Sequence, residues 1–271
     1  MKTLKNILVF IHEIFSNNYA LRTLIVRDFQ SRYLASYIGL PWAFIQPSAY
    51  ILVVWFAFSV GLRTGSTAGG TPFAAWLMVA MIPWLFISQT MQVSSKSLAE
   101  YSYLIKKTKI NAAVIPLIKV FSGLMVHIVL IVLIMLILVI NYKIYPSIYW
   151  IQIFYYMFAT VIVLSGISWF VAAIDVFMSD MGHLVTVLST MLFWATPIIW
   201  PYSMLEGNLK YIALLNPFFY ITEGYRYTFL QEKWFFQFVE MNIFFWAVTL
   251  VIFTTGALTF RKLKPEFGDV L

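Results

Sequence analysis

Residues Ala113–Ile140 read AVIPLIKVFSGLMVHIVLIVLIMLILVI, and Lys119 and His127 are the only ionisable side chains in that run. An α-helix rises about 1.5 Å per residue, so about 20 apolar residues cross the ~30 Å hydrocarbon layer of a bilayer. This run meets that length, and it is apolar all round, unlike a helix lying on a water-facing core. Working outward, five more runs share its character: Ile38–Val60, Phe73–Val93, Ile148–Ile174, Leu184–Trp200 and Phe238–Phe260. The expected fold is an all-α membrane protein, one transmembrane domain over residues 1–271. It has an interface segment at 1–35, six spans within 38–260 and a tail at 261–271.

Composition points the same way. The 271 residues are 62% hydrophobic and only 11% charged, against about a quarter charged in a soluble domain. Lipid must therefore be the solvent for much of the surface. The 19% aromatic content suits interfacial belts or a ligand-lined passage. Cysteine is absent, which excludes disulfides and thiolate metal sites. The net charge of +7 is read as basic residues held on the cytoplasmic side, not as a nucleic-acid surface. With the N-terminus inside, Lys2, Lys5, Arg22, Arg27, Arg32, Lys96, Lys106, Lys107, Lys109, Arg261, Lys262 and Lys264 are all cytoplasmic. Only Arg63, Lys143, Lys210, Arg226 and Lys233 then lie outside, so both termini are expected in the cytoplasm. The acidic turn Asp175–His183 departs from this bias. Met1–Asn18 has no small-residue cleavage site and reads as a mature N-terminus.

Three stretches are irregular. Leu21, Leu24, Ile25, Phe29 and Tyr33 recur at helical spacing, with Arg22, Asp28, Gln30 and Arg32 assigned to the opposite face. That pattern predicts an amphipathic helix in the interface plane. Ser94–Asn111 is longer than a turn requires. Ser97-Leu98-Ala99-Glu100 has the form of a capping box, followed by Tyr101, Leu104, Ile105 and the basic cluster Lys106-Lys107-Thr108-Lys109. Pro201–Gln237 is too broken to span and too apolar for an exposed loop. It predicts two re-entrant helices, Ser203–Leu214 and Pro217–Leu230, broken at Asn216-Pro217. Glu223 and Arg226, three apart, fall on one face of the second.

Several chemistries lack their residues. No G-x-x-x-x-G-K-[ST] loop is present, so this chain does not bind ATP in the usual way. No H-E-x-x-H or His–carboxylate cluster offers a metal site, and His127 reads as a packed or hydrogen-bonded residue. Lys119 is expected to snorkel to the cytoplasmic interface. The predicted spans hold no midplane carboxylate for ion coupling. Energy must come from elsewhere.

The run Arg27-Asp28-Phe29-Gln30-Ser31-Arg32-Tyr33, then Gly39, Trp42 and Gln46-Pro47, resembles the start of ABC-2 exporter permeases for polysaccharides and teichoic acids. Leu104-Ile105-Lys106-Lys107 is similar to their coupling helix. Thr196-Pro197-Ile198-Ile199-Trp200-Pro201, Leu215-Asn216-Pro217-Phe218 and Glu223-Gly224-Tyr225-Arg226 look like their fifth span and outer gate helices. Lys264-Pro265-Glu266-Phe267-Gly268-Asp269-Val270-Leu271 resembles their tail. Within the family, Pro72–Leu77, Ile144–Ile148 and Asn216–Tyr220 through Trp234-Phe235 are most similar to wall teichoic acid permeases; O-antigen and capsule permeases share the architecture and are the alternative, followed by an ABC-2 permease for a small molecule or drug. Asp175-Val176-Phe177-Met178-Ser179-Asp180 departs from the Arg-Asp pair usual there and leaves the role of Asp175 and Asp180 open.

The resemblance implies a translocase subunit without a catalytic site of its own. Its partners would be a second copy of itself and two copies of an ATPase chain that carries the ATP and Mg. The cargo would be an anionic glycopolymer on undecaprenyl diphosphate, in the cytoplasmic membrane of a Gram-positive bacterium. Glu100, Leu104, Lys106 and Lys107 would couple to the ATPase. Arg27, Arg32 and Lys119 would meet the lipid headgroup. Trp42, Trp55, Phe193 and Trp194 would line the path, and Asn216, Pro217, Glu223 and Arg226 would form an outer gate.

Overall fold

The helix Phe73–Ser95 is buried along almost its whole length, with Ala75, Leu77, Val79, Ala80, Met81 and Ile87 fully enclosed. A helix apolar on every side and covered on every side is the centre of a bundle. The computed structural model describes residues 18–34, 37–39, 41–58, 65, 70–108 and 110–271, without the side chains of 18–20, 33 and 34. The described helices are α1 (Asn18–Leu34), α2 (Trp42–Phe56), α3 (Phe73–Ser95), α4 (Ser97–Glu100), α5 (Ser102–Lys107) and α6 (Val114–Tyr142). They continue as α7 (Ile153–Asp175), α8 (Met181–Ala195), α9 (Leu209–Leu214), α10 (Pro217–Arg226), α11 (Val239–Leu263) and α12 (Phe267–Val270). Around α3 pack α2, α6, α7, α8 and α10. Expectations that fall on Lys2, Lys5, Arg63, Lys109, the Tyr33 side chain and most of the loop 61–72 lie outside the described residues.

Four helices are long and apolar enough to cross a bilayer: Phe73–Ser95, Val114–Tyr142, Ile148–Asp175 and Val239–Val270. They coincide with the second, third, fourth and sixth predicted spans to within a few residues at their starts. The first and fifth correspond to α2 and α8, which are apolar but only 15 residues long each. That is about 22 Å of helix; α8 ends there, whereas α2 runs on as a π-turn at 57–58 to the edge of the described residues. For α8 the cause is local. Pro197 disfavours helix at the residue before it, and Thr196 is extended at φ −86°, ψ 135°. Residues 59–64, beyond α2, are not among those described.

The bundle has two unlike ends. At one, α1, α4, α5 and α12 gather around the start of α6 and the ends of α3, α7 and α11. Charged side chains collect there. At the other, residues 201–238 fold over the opposite tips, and aromatic rings dominate. The charged end differs from expectation in three ways. Ser97 is not a helix cap: its hydroxyl donates to the Ser94 carbonyl at 2.7 Å, and Glu100 turns away to Lys119. The capping box is absent because α3 runs on past Lys96 almost without interruption, so no free amides await a cap. The single predicted coupling helix is instead two short pieces hinged at Tyr101 (φ −103°, ψ 17°). The tail is docked, with Phe267 buried against Phe260 and Lys264 donating to Asn111 Oδ1 at 2.9 Å.

At the aromatic end the broken pair is as the sequence predicts, though the first helix is shorter. Asn216 Oδ1 accepts from the Phe218 amide at 3.0 Å, and Pro217 opens α10 where its missing N–H costs nothing. Every residue of α10 is buried. The acidic turn also finds its explanation, since Asp175 pairs with Lys96 at 3.2 Å.

Helices α7 and α11 meet through glycines. A Cβ at Gly256 would stand 2.0 Å from the Gly166 carbonyl oxygen, and one at Gly166 would stand 2.6 Å from the Phe253 Cα. Both obstacles are backbone and cannot swing aside. Small residues let two membrane helices approach until their backbones touch, and packing there replaces the missing hydrophobic drive. Gly256→Ala is expected to destabilise the bundle by at least about 1–3 kcal/mol, read as a lower thermal midpoint in detergent. Gly268→Ala, with open space at its Cβ, should leave the midpoint within error. Equal midpoints for both variants would show that α7 and α11 do not touch.

Candidate functional site

Lys119 is four per cent exposed. A buried ammonium persists only with partners, and it has two. Its Nζ lies 2.6 Å from Asp28 Oδ1 on α1 and 2.5 Å from Glu100 Oε2 at the end of α4. The expected snorkelling does not occur, because carboxylates come to the lysine and replace water. Asp28, assigned from sequence to the solvent face, is buried. It accepts from Arg32 Nη2 at 2.7 Å, from Ser122 Oγ at 2.6 Å and from Tyr101 OH at 3.0 Å. Burial works to raise the Asp28 pKa, but Arg32 and Lys119 outweigh it and hold the carboxylate below its usual range. Burial, with Asp28 beside it, pushes the Tyr101 phenol up.

These groups border a cleft of about 600 Å³ lined by Leu24, Arg27, Ser31, Val93, Glu100 and Leu104 among others. The three expected headgroup residues therefore share one site. Arg27 is exposed on its rim, Arg32 half-buried in its wall and Lys119 at its floor. The expected coupling residues divide. Leu104 faces the cleft and Glu100 turns inward to Lys119, while Lys106 and Lys107 are exposed at the end of α5. Lys107 lies over the Tyr103 ring at 4.8 Å.

At the aromatic end, Arg226 is wholly buried and every arm of its guanidinium is engaged. Nη1 donates to Glu223 Oε2 at 2.8 Å and to the Pro197 carbonyl at 2.7 Å. Nη2 donates to the Ile198 carbonyl at 2.7 Å, and Nε to the Trp76 carbonyl at 3.3 Å. The cation sits 3.3 Å from the centre of the Trp76 ring. Asn216 Nδ2 reaches Thr196 Oγ1 at 2.8 Å. The four expected gate residues thus form one joint, tying α10 to the segment after α8 and to the start of α3.

The four expected path residues are scattered. Trp55 donates to Tyr142 OH at 3.2 Å and lines an apolar cleft of about 640 Å³ between α2, α3 and α6. Trp42 is exposed at the far end of α2. Phe193 packs on Trp84, and Trp194 is exposed on α8. Within one chain they enclose no common passage. His127, as expected, is packed: it bonds to Tyr225 OH at 2.6 Å and stacks on Phe86.

A family model of ABC-2 type transporters matches residues 19–230, from the start of α1 to the turn just beyond α10. The chain belongs to the ABC-2 type transporter family. It is 24% identical over 266 residues to an O-antigen export system permease protein, RfbA, of Myxococcus xanthus, covering 96% of this chain and 98% of the relative. Two proteins of the same name from Klebsiella pneumoniae are 24% and 23% identical over 247 residues, covering 90% of this chain and 92% of each.

For an ABC-2 permease the informative residues missed from sequence are Asp28, Tyr101, Ser122 and Trp76. Asp28 carried a signal. Leu21, Leu24, Ile25 and Asp28 follow the i, i+3, i+4, i+7 pattern of a single buried face. Trp76 carried none, since its role depends on a residue 150 positions away.

Two predictions follow from these clusters. The Asp28 pKa is depressed on folding, so its contribution is complete above the usual carboxylate value of 3.8 and is lost as pH falls below it. Thermal stability of the wild type should decline below about pH 4, and Asp28→Asn should flatten that decline; parallel acid limbs in the two proteins would refute it. At the other end, Arg226→Met strands Glu223 and three carbonyls. It is expected to cost about 3–5 kcal/mol, measured by denaturant titration in micelles. The double change Arg226→Met with Glu223→Gln should recover part of that loss, and no recovery would mean the pair is not coupled.

Proposed function

We propose that this chain is the membrane permease of an ATP-driven exporter that moves a lipid-linked polysaccharide of the O-antigen kind across the cytoplasmic membrane. The observation that carries it is end-to-end similarity to O-antigen export permeases, joined to an end of the bundle where charged side chains collect. Lys106 and Lys107 stand exposed at the tip of α5, and behind them Glu100 presses on Lys119 of the long helix α6. Force applied to α5 by a closing ATPase would pass through α4, whose Leu98 is buried in one cluster with Ile115 and Ile118 of α6, into the spans. Two copies of this chain and two of a separate ATPase, which would hold the ATP and Mg, complete the assembly. In this reading both termini are cytoplasmic, and α2 and α8 serve as short first and fifth crossings. The Arg226 joint becomes part of an outer gate, and Trp42, Trp55, Phe193 and Trp194 face a path shared between the two copies. The relatives favour polysaccharide over the teichoic acid polymer expected from sequence. The runs Pro72–Leu77 and Asn216–Tyr220 keep a wall teichoic acid polymer as the second cargo.

The test is reconstitution in vesicles with the ATPase partner. Lipid-linked polysaccharide is expected to become accessible on the far side only with ATP, and Lys106→Glu with Lys107→Glu should cut delivery at least tenfold while insertion is unchanged. Delivery of teichoic polymer in preference to polysaccharide would reverse the cargo assignment. ATP hydrolysis by this chain without its partner would end the exporter reading.

A further inference from the structure

The charged cleft contains more cation than its own carboxylates neutralise. Arg27, Arg32 and Lys119 face Asp28 and Glu100, leaving one positive charge in surplus. Arg27 has no ion-pair partner among the described residues. The two carboxylates are also unequal. Asp28 is buried and held by Arg32, Lys119, Ser122 and Tyr101 together. Glu100 is half exposed, with a side chain at 51% against 5% for the lysine it meets, and among the described residues its carboxylate forms no other hydrogen bond or ion pair. An exposed carboxylate with one contact is the partner that leaves first, since water restores its solvation at little cost. With Glu100 swung out, the cleft would present three cations to one carboxylate.

We propose that Glu100 is a displaceable stopper on an anion site formed by Lys119, Arg32 and Arg27, and that a diphosphate ester entering the cleft takes its place. The inference rests on the export reading above and names the regulation of that same cytoplasmic end. The chemistry fits a diphosphate better than a single carboxylate. Two phosphoryl groups reach Lys119 at the floor and Arg27 at the rim together, and Arg32 can supply its planar fork to one of them. The apolar rim of Leu24, Val93 and Leu104 suits an ester whose other half is hydrocarbon. Displacement has a mechanical result. The Glu100–Lys119 contact joins the end of α4 to α6, and the hinge at Tyr101 lies one residue further along. When it opens, α5 is released from the span it braces, so α5 swings about Tyr101 only while ligand occupies the cleft. Glu100 is a positioning residue in this scheme; the ligand touches the three cations.

The chain has no cysteine, so a label pair can be added to the otherwise unaltered sequence. Arg22→Cys on α1 and Tyr103→Cys on α5, both exposed, carry spin labels in the permease–ATPase complex in nanodiscs. Polyprenyl diphosphate without any sugar is added through the lipid, and inorganic pyrophosphate through the buffer. The expected result is a shift of several ångströms in the inter-label distance with the lipid diphosphate. Glu100→Gln should show the shifted distance without ligand, together with basal ATP turnover raised roughly fivefold, the low end of ordinary coupling factors. A shift with both probes supports the site and assigns it to the shared diphosphate chemistry. A shift with the lipid form alone supports delivery from the membrane. A shift with pyrophosphate alone overturns the lipid source, and no shift with either overturns the stopper. Because the probe bears no polysaccharide, the two proposals fail separately. An opening latch without polysaccharide delivery sinks the cargo assignment. Delivery with an unmoved distance and an unaltered Glu100→Gln variant sinks the latch.

Discussion

A lone ammonium cannot remain charged in the interior of a helix bundle without counter-charges that follow it there. Lys119 imposes that constraint at the start of α6, and much of the charged end is its consequence. Neither partner is close in sequence. Asp28 comes from a helix lying before the first described span, and Glu100 from the connection after α3. Satisfying one side chain therefore docks two elements whose own apolar surface is small. Helix α1 adds Leu21 to the core below, and Leu98 and Phe267 close the same cluster, but these contacts are non-directional. The ion pairs decide at which rotation α1 lies against α6.

The aromatic end solves the same physical problem with different partners. Arg226 is as buried as any residue in the chain, yet only one of its partners is a carboxylate. The rest are backbone carbonyls left over where α8 stops and α3 begins, plus the face of Trp76. Helix ends carry unpaired carbonyls that need donors, so one arginine satisfies the stop at Pro197 and its own burial together. The two ends differ accordingly. The Glu100 carboxylate at the charged end is half exposed to water, while that of Glu223 at the aromatic end is largely enclosed.

The long spans were legible because their signal is additive: twenty apolar residues in a row leave one physical outcome. The Asn216-Pro217 break was legible because proline acts locally. Failures came where outcome depends on distant residues. Asp28 was placed in water because it is charged, although its spacing from Leu21 and Leu24 marked the inner face. The sequence signature Ser97–Glu100 matched a cap, but a cap is useful only where a helix begins, and α3 does not end there in the required way. The length of α8 was overread because apolar character persists through Ile198, Ile199 and Trp200 after helical geometry stops at Thr196. Of the expected site residues, those close in sequence, such as Glu223 and Arg226, were paired correctly. The headgroup trio came together around the charged cleft, whereas the path aromatics did not share a place.

The Arg226 joint has a consequence for how such a chain can change over generations. Three of its acceptors belong to the main chain at Trp76, Pro197 and Ile198. A carbonyl is supplied by whatever amino acid stands there, so a codon change at Ile198 alters the side chain and leaves the acceptor intact. The arginine has no such latitude, because no other side chain offers a planar fork of five donors. Inherited constraint is thus concentrated on Arg226, with Trp76 held by its ring and Pro197 by its helix stop, and is light at Ile198. A joint of this kind lets neighbouring surfaces drift toward new cargoes while its geometry stays the same.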